Sequence, residues 1–219
     1  MGVVIRNVVF DLGGVLVGLD LEGCRAAFAA IGLGCIGQLI DAYHPVEMMG
    51  RMERGDLSFH ETCDEMRRMT DNRTVTDEQI AGAIAAILTD IPVVKLRAVE
   101  RLRRRGVRTY VLSNNNPVAM EAIRRMCTVD GRTIEDYFDG IYVSYRMHEL
   151  KPSPAIFRQM MDDSGIRPEE TLFIDDSVRN IATARELGFG VYCPAPDEDF
   201  TPLLDSIGQS AGCEWPTGF

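Results

Sequence analysis

Paired cysteines, clustered histidines and long apolar runs are all missing from this chain. Its six cysteines (Cys24, Cys35, Cys63, Cys127, Cys193 and Cys213) are scattered, and no two form a CxxC pair. That excludes the usual zinc spacings and the dense frameworks of small disulfide-held domains. Reduced thiols in a cytoplasmic protein are the expectation. The three histidines, His44, His60 and His148, share no metal-ligand spacing. The longest apolar run, residues 26–37, is too short to cross a bilayer. Arg6 and Asp11 cut the N-terminal apolar stretch too short for it to read as a signal peptide. Arg6 also stands where a myristoylation motif wants Ser or Thr. Basic residues are outnumbered, 23 Lys and Arg against 33 Asp and Glu, for a formal net charge of −10. A broad nucleic-acid footprint needs clustered cations, so none is expected. An anionic substrate stays open, because local charge and metal ions can overrule the total.

What remains is an ordinary globular composition, 46% hydrophobic and 26% charged over 219 residues. This length suits one domain, or one with a smaller insert. Val3 to Phe10 reads as a buried strand. Residues from about 20 to 88 then read as helices only: Leu21 to Ile31 closed by Gly32, Ile36 to Tyr43, and Pro45 to Arg54 stopped by Gly55. Two more follow, opened by the capping-box pairs Ser58/Glu61 and Thr76/Gln79, the second ending near Leu88. After that, strands and helices alternate. Helices are expected over Val94–Arg105, Pro117–Met126, Pro154–Asp163 and Val178–Leu187. Strands are expected over Val107–Leu112, Ile141–Ser144, Thr171–Ile174 and Phe189–Tyr192. Such alternation predicts an α/β fold, a doubly wound parallel sheet with both faces covered. The helical segment becomes an insert, with the core over 1–18 and 89–219 and the insert over 19–88. Beyond Cys193 the chain reads as a surface-hugging tail, docked by Trp215.

In such sheets ligands bind beyond the carboxyl ends of the strands. Asp11-Leu12-Gly13-Gly14 follows the first strand, and Ser113-Asn114-Asn115-Asn116 the second. Lys151-Pro152 comes shortly after the third, and Asp175-Asp176-Ser177 after the fourth. Taken singly, each has a plain explanation as a turn, loop or helix cap. Together, on one sheet edge, they combine into a chemistry. Carboxylates from two loops can hold Mg²⁺, a hard cation that prefers oxygen ligands. Ser113 and backbone N–H groups can cradle phosphate oxygens. Lys151 can offset charge at a fixed point, and a carboxylate facing them can attack phosphorus.

These stretches resemble the four motifs of the haloacid dehalogenase (HAD) superfamily of phosphohydrolases. "VVFDLGGVL" is similar to motif one, "VLSNNN" to motif two, "KPSPAIF" to motif three and "LFIDDSVRNIATARELGF" to motif four. The helical insert resembles that family's small mobile cap, and "MERGDLSFHETCDEM" resembles the cap segment of a sugar-phosphate-phosphatase-like branch. The resemblance implies Asp11 as nucleophile and Mg²⁺ held by Asp11, the Gly13 carbonyl, Asp176 and, directly or from behind, Asp175. It implies Ser113, Asn114, Lys151 and the Gly13-Gly14 turn as phosphate-binding, with Ser113 and Lys151 catalytic. The expected substrate is a small phosphorylated metabolite.

Gly13 departs from the pattern. Many family phosphatases carry there an Asp that protonates the leaving oxygen and later activates water. Glycine keeps the backbone carbonyl but loses the acid. Asp20, Glu47, Glu53 and His44 are the cap-side candidates to replace it. The alternatives are a phosphate-binding or regulatory relic and a metal-independent dehalogenase, although a dehalogenase needs no paired acids like Asp175-Asp176. Two other features read as structural: "RLRRRG" from Arg101 as a solvated helix end, and Met48, Met49 and Met52 as core packing.

Overall fold

A computed structural model describes residues 4–40, 47–127 and 131–207. Five strands form one parallel sheet: β1 (Asn7–Phe10), β2 (Arg108–Ser113), β3 (Gly140–Val143), β4 (Thr171–Ile174) and β5 (Gly190–Tyr192). Their order is β3-β2-β1-β4-β5. All four residues of β1 are buried, as a strand covered on both faces must be. Phe10 pairs in register with Val111 on one side and Ile174 on the other. The carboxyl ends of β1, β2 and β4 are therefore nearly level.

Between β1 and β2 run α1 (Leu21–Ala30), α2 (Gly34–Leu39), α3 (Glu47–Arg54), α4 (Phe59–Thr70), α5 (Asp77–Ala85) and α6 (Val93–Arg104). Both expected capping boxes are formed, Ser58 with Glu61 at α4 and Thr76 with Gln79 at α5. The second helix starts two residues before the expected Ile36 and ends at Leu39. The expectations for residues 41–46, His44 included, lie outside the described residues, as does that for Trp215. The remaining helices are α7 (Pro117–Met126), α8 (Ser144–Met147), α9 (Pro154–Ser164), α10 (Val178–Glu186) and α11 (Thr201–Ser206).

Strand alternation sends Val8 and Phe10 to one face of the sheet and Val9 to the other. On the first face they pack with Leu96, Val99 and Leu102 of α6. On the second, Val9 joins Phe157 of α9 and Ile181 of α10. A third cluster lies wholly among the inserted helices, around Phe28, Ile36, Met48, Met52, Met66 and Ile80. The methionine trio is buried there, as a packing role requires. The two chain crossings into this helical layer lie side by side. Thr89 N–H donates to the Gly18 carbonyl (3.0 Å), Gly18 N–H to Asp90 (2.9 Å) and Asp20 N–H to Ile87 (2.7 Å).

Two expectations need correction. The tail past Cys193 is not merely draped on the surface, because α11 buries Thr201 and Leu204, with Phe200 buried just before it. The arginine run is not simply a solvated helix end either. Arg101 makes a two-pronged contact with Asp205 (2.8 and 3.0 Å), and Arg105 donates to the carbonyls of Leu204, Asp205 and Ile207. Arg105 thereby satisfies orphan carbonyls at the end of α11, while Arg101 holds the helix by its Asp205 carboxylate.

Candidate active site

The strand order turns back at β1, between β2 and β4, and the expected site residues gather at that edge. Asp11 leaves β1 with its N–H on the Ile174 carbonyl (2.9 Å), which ties it to the end of β4. Its carboxylate accepts from Leu12 N–H at 2.7 Å. Lys151 Nζ lies 3.0 Å from its other oxygen and 2.6 Å from Asp175. Asp175 is fully buried and heavily engaged. Beside Lys151 it accepts from Ser177 N–H (2.8 Å) and from Asn180 Nδ2 on both oxygens (3.0 Å each). This network holds Asp175 and, through Lys151, sets the position of Asp11. Lys151 and Lys95 are the only lysines in the chain.

The asparagines divide the work of placing these groups. Asn114 accepts from Lys151 N–H (2.8 Å) and donates to the Lys151 carbonyl (2.9 Å), clamping that backbone to the end of β2. Its side chain thus positions the lysine, besides facing the cavity. Asn115 accepts from Asn116 N–H (2.8 Å), and Asn116 caps α7 through Ala119 N–H (2.9 Å). Ser113 is buried at the end of β2 and lines the same cavity as Asp11. Ser144 was not marked out by sequence reasoning. Its hydroxyl accepts from Asn115 N–H (2.9 Å) and donates to the Glu53 carbonyl (2.5 Å), joining the β2 loop to α3. Only its place at the end of an expected strand hinted at this.

Electrostatics mark the spot as short of positive charge. Burial raises the Asp11 carboxyl from its ordinary 3.8 to about 7, and Asp175 and Asp176 add to the rise while Lys151 opposes it. Burial presses the Lys151 ammonium down, but Asp11 and Asp175 outweigh it and hold the lysine above its ordinary value. Asp11, Asp175 and Asp176 each offer an oxygen, and these lie within 4.8 Å of one another. Three carboxylates facing one ammonium fit a hard divalent cation, which prefers oxygen donors and offsets the surplus negative charge. Gly14 makes the approach possible. It lies at φ +74°, and a Cβ there would fall 2.1 Å from Asp176 Oδ2. Gly14→Ala is therefore expected to push that carboxylate aside and strain the turn. Titration of activity with the divalent cation should show at least about a tenfold weaker requirement constant, the loss typical of disturbing a metal's immediate surroundings.

A cavity of about 430 Å³ opens above these residues, lined by Asp11, Gly13, Ser113, Lys151 and Asp176 below and by the inserted helices above. Of the four candidate acids, Glu53 alone lines it among the described residues. Asp20 instead caps α1 through Gly23 N–H (2.8 Å), and Glu47 is exposed outside it. Burial alone raises the Glu53 carboxyl from its ordinary 4.5 to about 7, with no contribution from Asp11, Asp175, Asp176 or Lys151. It lines the cavity from the cap side, carried by α3. Its ionised form is disfavoured in the folded state, so stability is greatest when it is protonated and falls as pH rises from 4.5 through about 7. Glu53→Gln removes that loss. The variant's Tm should match wild type below pH 4.5 and exceed it at pH 8.

Residues 5–188 match the haloacid dehalogenase-like hydrolase family. The chain belongs to this family. Among curated proteins it is 35% identical over 207 residues to D-ribitol-5-phosphate phosphatase of Bacteroides thetaiotaomicron, covering 93% of this chain and 98% of the relative. A HAD family enzyme of Bacteroides thetaiotaomicron superposes with a TM-score of 0.87 at 36% identity, over 91% of this chain and 98% of that one. That crystal structure is of an aspartate-to-alanine variant with magnesium and inorganic phosphate. The L-2-haloacid dehalogenase of Xanthobacter autotrophicus superposes at a TM-score of 0.59 with 18% identity, over 95% of this chain and 85% of that one, a likeness of fold alone. The five-stranded parallel sheet with its helical insert is the HAD architecture the motifs predicted.

Proposed function

We propose that this HAD hydrolase is a Mg²⁺-dependent phosphatase of small phosphomonoesters, working through a phosphorylated Asp11. The observation that carries this reading is the buried Lys151 ammonium held between Asp11 (3.0 Å) and Asp175 (2.6 Å), with Asp176 completing the carboxylate triad. In this reading an Asp11 oxygen attacks phosphorus, an Asp11–phosphorus bond forms and the bond to the alcohol oxygen breaks. Water then attacks the same phosphorus, releasing inorganic phosphate and regenerating the Asp11 carboxylate. Ser113 and the Gly13 N–H hold phosphoryl oxygens, while the expected Gly14 N–H is already spent on the Val17 carbonyl (2.9 Å), and Lys151 keeps Asp11 aligned while offsetting its charge. Asp11, Asp176 and the Gly13 carbonyl are the groups that would hold Mg²⁺, with Asp175 fixed behind them by Asn180. Bound there, Mg²⁺ supplies Lewis-acid charge to the phosphoryl group.

Residues 19–88 serve as a cap that covers the site and excludes water. The related ribitol-phosphate phosphatase supports a sugar or polyol phosphate as substrate. The thiols of Cys24, Cys35, Cys63, Cys127 and Cys193 are unpaired, which supports the expected cytoplasmic setting. Among the described residues no helix is long and apolar enough to cross a membrane. The test is phosphate release from a phosphomonoester panel, lost with EDTA and restored by Mg²⁺. Halide release from a 2-haloacid, unaffected by EDTA, would assign dehalogenation instead. Binding of Mg²⁺ and phosphate with no turnover would point to a binding protein.

A further inference from the structure

Helices and crossings of the cap close the upper side of the cavity almost entirely with hydrocarbon and sulfur, from residues such as Leu19, Phe28, Met49, Ile87 and Leu88. The one lining thiol there, Cys24, already donates to the Ala83 carbonyl (3.4 Å). Within that surface Glu53 brings the only carboxyl, amide or hydroxyl side chain among the described lining residues of the cap. It makes no hydrogen bond or ion pair with any described residue, although its neighbours on α3, Arg51 and Arg54, are paired with Glu65 and Asp56. A partly buried carboxyl facing a cavity with no partner is unusual, because such groups are nearly always satisfied by protein, water or ligand. Its place is fixed from behind, since the Glu53 carbonyl is held by the Ser144 hydroxyl, which also holds the Asn115 backbone beside the phosphate end.

We propose that Glu53 is the specificity-determining residue of the cap, accepting a hydrogen bond from a hydroxyl on the alcohol part of the substrate. The inference rests on the phosphatase reading above and deepens it. The substrate class is then a hydroxylated phosphomonoester with its phosphate at Asp11 and its hydroxyl-bearing carbons pointing across the cavity. A hydroxyl placed against the rest of that apolar surface would lose its water without replacement, which costs binding energy. Among the described cap residues that line the cavity, Glu53 is the single place that reverses the sign. A donor role at the bridging ester oxygen is the competing role for Glu53, and the paired substrates below separate it from specificity.

Ribitol 5-phosphate and n-pentyl phosphate separate the possibilities. Both have five-carbon primary alcohols as leaving groups, but ribitol's is more acidic as well as hydroxylated, so the readout is how the ratio of their kcat/KM values changes from wild type to variant. Wild type should prefer ribitol 5-phosphate in kcat/KM. Glu53→Met, similar in length and apolar, should lose about 10–100-fold on ribitol 5-phosphate, mostly in KM, the size of one charge-assisted hydrogen bond. On pentyl phosphate the same variant should be unchanged or improved, which also shows that it folds. Glu53→Gln should fall between the two on ribitol 5-phosphate. Equal losses on both substrates, carried in kcat, would place Glu53 in the chemical step and overturn the proposal. So would a wild type with no preference, or a Glu53→Met variant that keeps the wild-type ratio of the two substrates. Failure of wild type to release phosphate from these esters or from an aryl phosphate with Mg²⁺ would instead count against the phosphatase reading itself.

Discussion

Asp11→Asn is expected to lower Mg²⁺-dependent phosphate release by more than about 10⁴-fold in kcat, the scale on which enzymes lose activity when the nucleophile goes. The change is nearly isosteric, and it removes the carboxylate that would attack phosphorus. The same substitution should not unfold the protein. Burial and two neighbouring acids already raise the Asp11 carboxyl to about 7, so folding gains nothing from its charge without a metal. Removing it should leave the Tm of the metal-free protein equal or higher at pH 8. Loss of activity with retained Tm is thus the predicted pair of results. A variant within tenfold of wild type would remove Asp11 from the reaction.

The second large effect concerns the leaving group. Wild type should slow steeply as the leaving alcohol becomes less acidic, because Gly13 offers no side chain to protonate the departing oxygen. General acid–base help is typically worth ~10²–10⁴-fold, or about 3–5 kcal/mol of barrier. Gly13→Asp should recover much of that on alkyl phosphates and little on aryl phosphates, whose leaving groups need no proton. The backbone allows the substitution. Gly13 lies outside the left-handed region, and a Cβ there would meet only Leu19, at an ordinary 3.5 Å. A flat dependence on leaving-group acidity in wild type would mean that another acid has taken the role. A Gly13→Asp variant that is no faster on alkyl phosphates, yet stable and Mg²⁺-binding, would mean that Leu19 or the cap keeps the new carboxyl from the leaving oxygen.

Much of this site was legible from local sequence, because the residues that matter follow directly on strands. Once β1, β2 and β4 are recognised, parallel pairing puts Asp11, Ser113 and Asp175 at one edge with few alternatives. Lys151 was harder, since it comes eight residues after β3, beyond the short helix α8. Its identification relied on the Lys-Pro motif, and its placement depends on the Asn114 clamp, which no local pattern reveals. The capping boxes of α4 and α5 are strictly local and were fully readable. Glu53 could be named as one of several cap-side acids but not chosen from them, because its entry into the cavity depends on how α3 packs over the sheet. The grip of Arg101 and Arg105 on α11 was missed for the same reason: it joins segments about a hundred residues apart, and a basic helix end looks alike whether it meets solvent or another chain segment. Ser144 illustrates the limit most simply. A buried serine at the end of a strand is unremarkable until the two backbone segments that it joins are known.

The claim at the centre is that phosphorus becomes covalently bound to Asp11 during turnover. Rapid acid quench with a radiolabelled phosphomonoester, followed by peptide mapping, tests it most directly. The account predicts transient label on the peptide carrying Asp11, stable to acid, released by hydroxylamine as an acyl phosphate should be, and absent from Asp11→Asn. A full burst of phosphate with no protein-bound label, or label on any other residue, would contradict it.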